Sequence, residues 1–166
     1  MRLRREEAAD VAAIRAVNLA AFPKPAEADL VDRLRGHVDP FISLVADDGG
    51  VAGHILFTPV HIGARTALAL GPMAVLPARQ RHGIGGKLIR AALDACLAAG
   101  HDLVFVLGHP EYYPRFGFKP TRPFGIRCEF EVPADVFMLA ELRAGAAAGI
   151  SGIVRYHDLF KAVDGS

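Results

Sequence analysis

The chain has 166 residues, of which 52% are hydrophobic and 22% charged, with 19 Lys plus Arg against 18 Asp plus Glu for a formal net charge of +1. That much apolar sequence supports a core in one domain, expected over residues 1–166, and excludes a disordered chain. The even charge balance argues against a dedicated nucleic-acid binder, and the longest run free of Asp, Glu, Lys and Arg, residues 49–64, is broken by His54, Pro59 and His61 and falls short of the roughly 20 apolar residues of a membrane span.

The first residues, MRLRREEAAD, are basic and then acidic where a secretory signal would turn apolar, so a cytoplasmic protein is expected. A short strand is predicted around residues 2–4. Helical spacing follows over 5–22, with Val11, Ile14, Val17 and Leu19 apolar and the acids early, until Pro23 and Pro25 stop it. A second helix fits residues 27–34 and is closed by Gly36. FISLVADD reads as a strand. Gly49 and Gly50 turn it into VAGHILFTPVHI, and Gly63 and Ala64 turn that into TALALGPMAV, completing a three-strand meander.

Gly71 and Pro72 interrupt the last of these strands. Proline cannot donate to a ladder and glycine weakens a strand, so the pair predicts a bulge or a sheet edge. A glycine-rich turn, QRHGIGGKL, then opens a helix over 84–99 that Gly100 ends. DLVFVLG is short and continuously apolar, as a central strand buried on both faces would be. PEYYPRF is a short helical piece broken by Pro114. FMLAEL and GIVRY read as later strands, separated by RAGAAAGIS as a turn or a brief helix. Cys96 lies on the apolar side of its helix as a small core residue, Cys128 has no assigned role, and the two give no metal-ligand spacing.

The turn at residues 80–88 is where chemistry is expected. Glycines there admit unusual backbone conformations and a close approach, and the helix behind them offers unpaired N–H groups, which together make an anion seat. Two nucleotide motifs fail on their spacing. A P-loop anchored on Gly86 and Lys87 would need glycine where Arg81 stands and Ser or Thr at Leu88. A dinucleotide fingerprint on Gly83 and Gly85 would need a third small residue, again at Leu88.

The spacing Gln-x-x-Gly-x-Gly, carried by Gln80, Gly83 and Gly85, resembles the pyrophosphate-binding segment of the GCN5-related N-acetyltransferases, the GNAT superfamily. LGPMAVLPARQRHGIGGKLIRAAL resembles that superfamily's strand–loop–helix core. VFVLGHPEYYPRFGFKP resembles its next strand and its Tyr-x-x-x-Gly-Phe segment, here Tyr113, Gly117 and Phe118. The downstream FMLAEL and GAAAGISGIVRYHDLF are similar to a bacterial YhbS-like subgroup, so the resemblance covers nearly the whole chain.

The resemblance implies a single-domain α/β fold, a mixed and mostly antiparallel sheet flanked by helices, with a splayed central strand pair. It implies acetyl-CoA as co-substrate and no metal. The phosphates would rest on Gln80, Arg81, His82, Gly83, Ile84, Gly85, Gly86 and Lys87, chiefly on backbone N–H groups, with Arg79, Arg81 and Lys87 as candidate cations. The pantetheine arm would pair with Met73, Ala74 and Val75 like an added strand, and N–H groups freed near the bulge would face the thioester oxygen. Tyr113 stands where the family carries the acid that protonates the leaving thiolate. The reaction expected is direct acetyl transfer to an amine, on a small molecule or on a peptide or protein; the alternative is a non-catalytic acyl-CoA sensor.

No nucleic-acid or membrane partner is expected, and a homodimer and a longer acyl donor are left open. TALALGPMAV has no Asp, Glu or His, so the carboxylate base common in the family is missing; His54, His61 and His109 are candidates, and none is assigned. Glu27, Asp29 and Asp32 lie where the acceptor cleft is expected and would favour a cationic amine.

Overall fold

The computed structural model describes residues 1–164; the last two residues of the expected domain, Gly165 and Ser166, lie outside the described residues. The strands in chain order are β1 (Arg2–Arg5), β2 (Ile42–Asp47), β3 (Val51–Ile62), β4 (Arg65–Val75), β5 (Leu103–Leu107), β6 (Lys119–Pro120), β7 (Ile126–Cys128), β8 (Phe137–Glu141) and β9 (Gly152–Arg155). The helices are α1 (Val11–Ala21), α2 (Ala26–Leu34), α3 (Ile84–Ala98) and α4 (Lys161–Asp164). They build one mixed sheet in the order β1-β2-β3-β4-β5-β8-β6. Its pairs along that path are antiparallel except β4 with β5; β9 extends the β3 edge antiparallel at His61 and Ile62 and carries β7 in parallel.

The sheet is covered on both faces. On one side α3 packs Leu88, Ile89, Ala92 and Cys96 against Ile55, Phe57, Leu68, Val104 and Val106. On the other, α1 and α2 bring Ile14, Leu30, Val31 and Leu34 onto Val45 and Leu56. Leu103 and Phe105 join Ala69, Phe137, Leu139 and Val154 in a second cluster there. Alternate residues of β5 thus enter different cores, which is why its sequence is apolar throughout. Cys96 is fully buried and its thiol is pushed up to about 12 by that burial, as befits a core residue.

The N-terminal boundary departs from the helical spacing. β1 takes in Arg5, and α1 begins only at Val11 after a 3-10 turn, Ala8–Asp10. Arg4 draws the Asp10 carboxylate at 2.8 Å while that carboxylate accepts the Glu7 N–H at 2.7 Å, and this local cluster holds residues 5–10 out of the helix. RAGAAAGIS forms turns, and PEYYPRF contributes a 3-10 turn, Tyr113–Phe116.

Candidate active site

The site begins where β4 leaves β5. The two pair only through Leu68, Ala69 and Leu70 with Val104, Phe105 and Val106, yet β4 runs on to Val75. On its other edge the register slips: Ile55 faces Met73 but Phe57 faces Leu70, so Gly71 and Pro72 together stand opposite the single residue Leu56. Gly71 adopts a φ of 146°, open to glycine and strained for other residues. The predicted bulge and splay are both present. The Leu76 N–H bonds the Ala52 carbonyl at 2.9 Å. By antiparallel alternation Ala74 then bonds β3, while Met73 and Val75 turn their peptide groups toward the fork.

The glycine turn lies beside that fork. Gly83 (φ 82°) caps α3 in a left-handed conformation, and Arg81 shares it at φ 65°. The first bond of the helix is Lys87 N–H to the Gly83 carbonyl at 3.1 Å. Among the described residues, none of the N–H groups of residues 81–86 has a backbone partner. Gln80 braces the turn by donating from Nε2 to the Val75 carbonyl at 3.0 Å.

Turn and strand enclose a groove of about 700 Å³. Its wall contains Met73, Ala74, Val75, Gln80, Arg81, Gly83, Ile84, Gly85 and Gly86 from the expected set; His82 and Lys87 are exposed and lie off it. Arg79 lines the groove with its guanidinium already paired to Asp48. Arg90, Arg115 and Tyr112 line it too and were not anticipated. Arg90 stacks over the Phe116 ring at 4.8 Å and Arg115 over Tyr112 at 5.3 Å, contacts that hold the guanidinium groups at the wall. Among the described residues, no carboxylate lines the groove. A β-carbon on Gly85 would stand 3.1 Å from the Tyr112 hydroxyl, and one on Gly86 would stand 3.4 Å from Arg90 Nη1.

Tyr113 is not on that wall. It is 8% exposed, packed against Gly108 directly after β5 and edge-on to Phe118 at 5.6 Å, and burial pushes its phenol up to about 12.

The candidate bases separate clearly. His54 is wholly buried between Asn18, which donates to Nδ1 at 3.2 Å, and Ser43, 3.0 Å from Nε2. Ser43 donates onward to Glu6 at 2.5 Å, so Nε2 carries the ring proton. Burial lowers the His54 pKa to about 4. It is a structural histidine. His61 lies by Thr66 and His109 is exposed, and neither is on the groove wall.

A second cavity, of about 180 Å³, opens on the other side of the bulge. Its wall is Leu70, Gly71, Pro72, Leu107, Leu30, Glu27, Phe130, Tyr156, Phe160 and Val163. Asp29 and Asp32 do not reach it: both are bound to Arg15 at 2.9 Å. A third hollow, of about 750 Å³, lies over β7 and β9, mixes Arg122 and Arg127 with Glu131, and touches neither β4 nor the glycine turn.

Residues 39–120 match the family model of the acetyltransferase (GNAT) domain. The uncharacterized N-acetyltransferase YhbS of Escherichia coli K12 is 32% identical over 164 residues, covering 96% of this chain and 98% of that protein. The uncharacterized N-acetyltransferase YjhQ of the same strain is 42% identical over 118 residues, 67% of this chain and 65% of that protein. Among solved structures, YhbS of Escherichia coli in complex with CoA matches with a TM-score of 0.91 at 31% identity, over 96% of this chain and 91% of that one. A GNAT family acetyltransferase from Brucella melitensis in complex with acetyl-CoA matches with a TM-score of 0.78 at 38% identity, over 96% and 97%.

Proposed function

The chain belongs to the GNAT acetyltransferases, and from that premise we propose that it transfers an acetyl group from acetyl-CoA directly to a primary amine bound in the same complex. The observation that carries this reading is the groove. A glycine turn with unpaired N–H groups and four arginines, and no carboxylate among the described residues, opens onto a strand whose peptide groups turn toward the β4–β5 fork. Acetyl-CoA supplies the activated acyl group and the thiolate that leaves.

The N–H groups of residues 81–86 hold the pyrophosphate, with the N-terminus of α3 behind them. Arg81, Arg90 and Arg115 neutralise phosphate oxygens. His82 serves through its backbone N–H, its side chain lying off the wall, whereas Lys87, also off the wall, closes the turn by bonding its N–H to the Gly83 carbonyl. Met73 and Val75 bond the pantetheine amides, Ala74 packs beneath them, and the Met73 N–H, nearest the bulge, faces the thioester oxygen.

Tyr113 serves the leaving sulfur. Its ring packs on Gly108, directly after β5, and its raised pKa keeps the phenol protonated at neutral pH. The incoming ammonium gives one proton to solvent. As the C–N bond forms and the C–S bond breaks, Tyr113 hands its proton to sulfur and regains one from the nitrogen. The domain spans residues 1–166 and works in the cytoplasm.

The test is a thermal-shift titration with acetyl-CoA, followed by thiol release across a panel of amines. Stabilisation with release is expected. Stabilisation without release from any amine would mark an acyl-CoA sensor, and no thermal response would overturn acetyl-CoA as ligand.

A further inference from the structure

The acetyl-CoA groove and the 180 Å³ cavity meet on one strand. The groove takes Met73, Ala74 and Val75, and the cavity takes Leu70, Gly71 and Pro72 immediately before them. The bulge between them is the point at which pairing to β5 has ended. A molecule in the cavity therefore reaches the end of β4 from the side opposite the groove.

The cavity's size and walls restrict that molecule. An apolar cavity of roughly 150 Å³ accepts benzene, so 180 Å³ admits one ring with a short arm, or a branched alkyl group of similar bulk. Among the described residues of the wall two side chains are polar, Glu27 and Tyr156, and the others are apolar. Phe130 and Phe160 lie against Tyr156, with ring centroids 5.2 and 5.3 Å away.

The two polar groups are also the ones left without partners. Asp29 and Asp32 are neutralised by Arg15, whereas Glu27 makes no ion pair among the described residues. Tyr156 is 8% exposed, and its hydroxyl has no hydrogen-bond partner among the described residues. Burial raises its pKa well above the usual value, so it stays a neutral phenol. A buried hydroxyl with no partner is destabilising, which is accounted for if a ligand completes it.

We propose that this cavity is the acceptor pocket, and that the acceptor is a small primary monoamine with an uncharged aromatic or branched aliphatic body, its ammonium drawn to Glu27 and its polar hydrogens bonded by Tyr156. The proposal rests on the acetyl-transfer reading above. Polyamines and lysine side chains within peptides fit poorly. They bring further charges or amide groups where the wall offers Leu30, Leu107 and Phe160, and no apolar body to cover those side chains.

The experiment uses the full chain with acetyl-CoA and four acceptors: 2-phenylethylamine, 3-methylbutylamine, spermidine and a lysine-containing tetrapeptide. The two monoamines are expected to exceed the other two in kcat/KM by about 100-fold. Glu27→Gln should raise the KM for 2-phenylethylamine about 10-fold or more while the Kd for acetyl-CoA stays unchanged. Tyr156→Phe should raise the same KM about as much, and should leave the Tm of the free protein unchanged or higher, because an unpaired hydroxyl has been removed. If acetyl-CoA stabilises the protein and neither monoamine outruns spermidine and the peptide, this inference alone fails. It also fails if both variants keep the wild-type KM. If acetyl-CoA itself gives no thermal response, the transfer reading falls and this inference with it.

Discussion

The ring of Tyr113 lies against the α-carbon of Gly108 so closely that a β-carbon there would stand 2.1 Å from Cε2 and 2.6 Å from Cδ2. Glycine directly after β5 is therefore what lets the ring pack there. Gly108→Ala should push the ring aside, destabilising the protein by about 1–3 kcal/mol and lowering kcat even at temperatures where the variant is folded. Unchanged kcat in the folded variant would detach Tyr113 from the chemistry.

Tyr113→Phe preserves the packing on Gly108 and Phe118 and removes only the hydroxyl. Turnover should fall by about 10- to 10,000-fold, with acetyl-CoA affinity retained. Tyr112→Phe is the adjacent comparison. Its hydroxyl borders Gly85 on the groove wall, so its loss should cost less and act mainly on acetyl-CoA affinity. Single-turnover thiol release separates the two effects, and equal rates for Tyr113→Phe and wild type would rule out the acid role.

Gly85→Val places methyl groups between the turn and Tyr112, where a β-carbon already stands 3.1 Å from the hydroxyl. Wild-type protein at 100 times the Kd of acetyl-CoA should gain about 2.7 kcal/mol, and the variant should gain almost none. Differential scanning with and without ligand reads this directly. A variant stabilised as strongly as wild type would move the phosphate seat elsewhere.

Arg90→Gln and Arg115→Gln remove cations from a groove that has no carboxylate. Each should weaken acetyl-CoA binding by about 10-fold at low salt, and the loss should shrink as salt rises. Calorimetry at two ionic strengths checks it; an unchanged Kd at low salt would mean that the guanidinium groups only cover Phe116 and Tyr112.

Stability should decline in acid because of His54. Its folded pKa of about 4 lies below the ordinary value near 6.5, so the unfolded chain binds the proton first. Stability is thus full above pH 6.5 and is lost as the pH falls toward 4, by about 3 kcal/mol. Asp10, held below its usual range by hydrogen bonds from Arg4, adds a further loss at lower pH. Urea unfolding of wild type and His54→Gln between pH 7 and 4 tests the assignment, since the variant should lack the slope above pH 4.

Much of this site was legible because local chemistry dictated it. Gly71 with Pro72 foretold the bulge, Gln80, Gly83 and Gly85 the turn, and the unbroken apolar run of β5 a strand shared by two cores. β6 and β7, with two and three residues, are too short to show a period and exist only through partners distant in sequence. Tyr112 and Arg115 reach the groove because of how the chain turns after β5, which no spacing reports. Arg90 is different: it lies four residues after Gly86 on α3, a helical spacing that would have pointed to it. Of the cavity beside the bulge only Glu27 was anticipated, because the rest is assembled from β4, β5, Phe130 and the last turns of the chain, which are distant in sequence.

Three residue pairs join β4 to β5, and that short seam is where the sheet's N-terminal plate, β1 to β4, meets its C-terminal plate, β5, β8 and β6. Hydrogen bonding across the seam is sparse, so the shared apolar layer beneath it carries most of the mechanical connection. A ligand lodged in the groove would lie along β4 on one side and against Tyr112, Arg115 and Phe116, in the segment that follows β5, on the other, and so act as a spline between the plates. Its binding should therefore be felt well beyond the groove: amide exchange in Phe137–Glu141, which no groove residue contacts through the ladder, should slow in step with that of Arg65–Val75. The half-finished seam makes the rigidity of the whole sheet a property that the co-substrate completes.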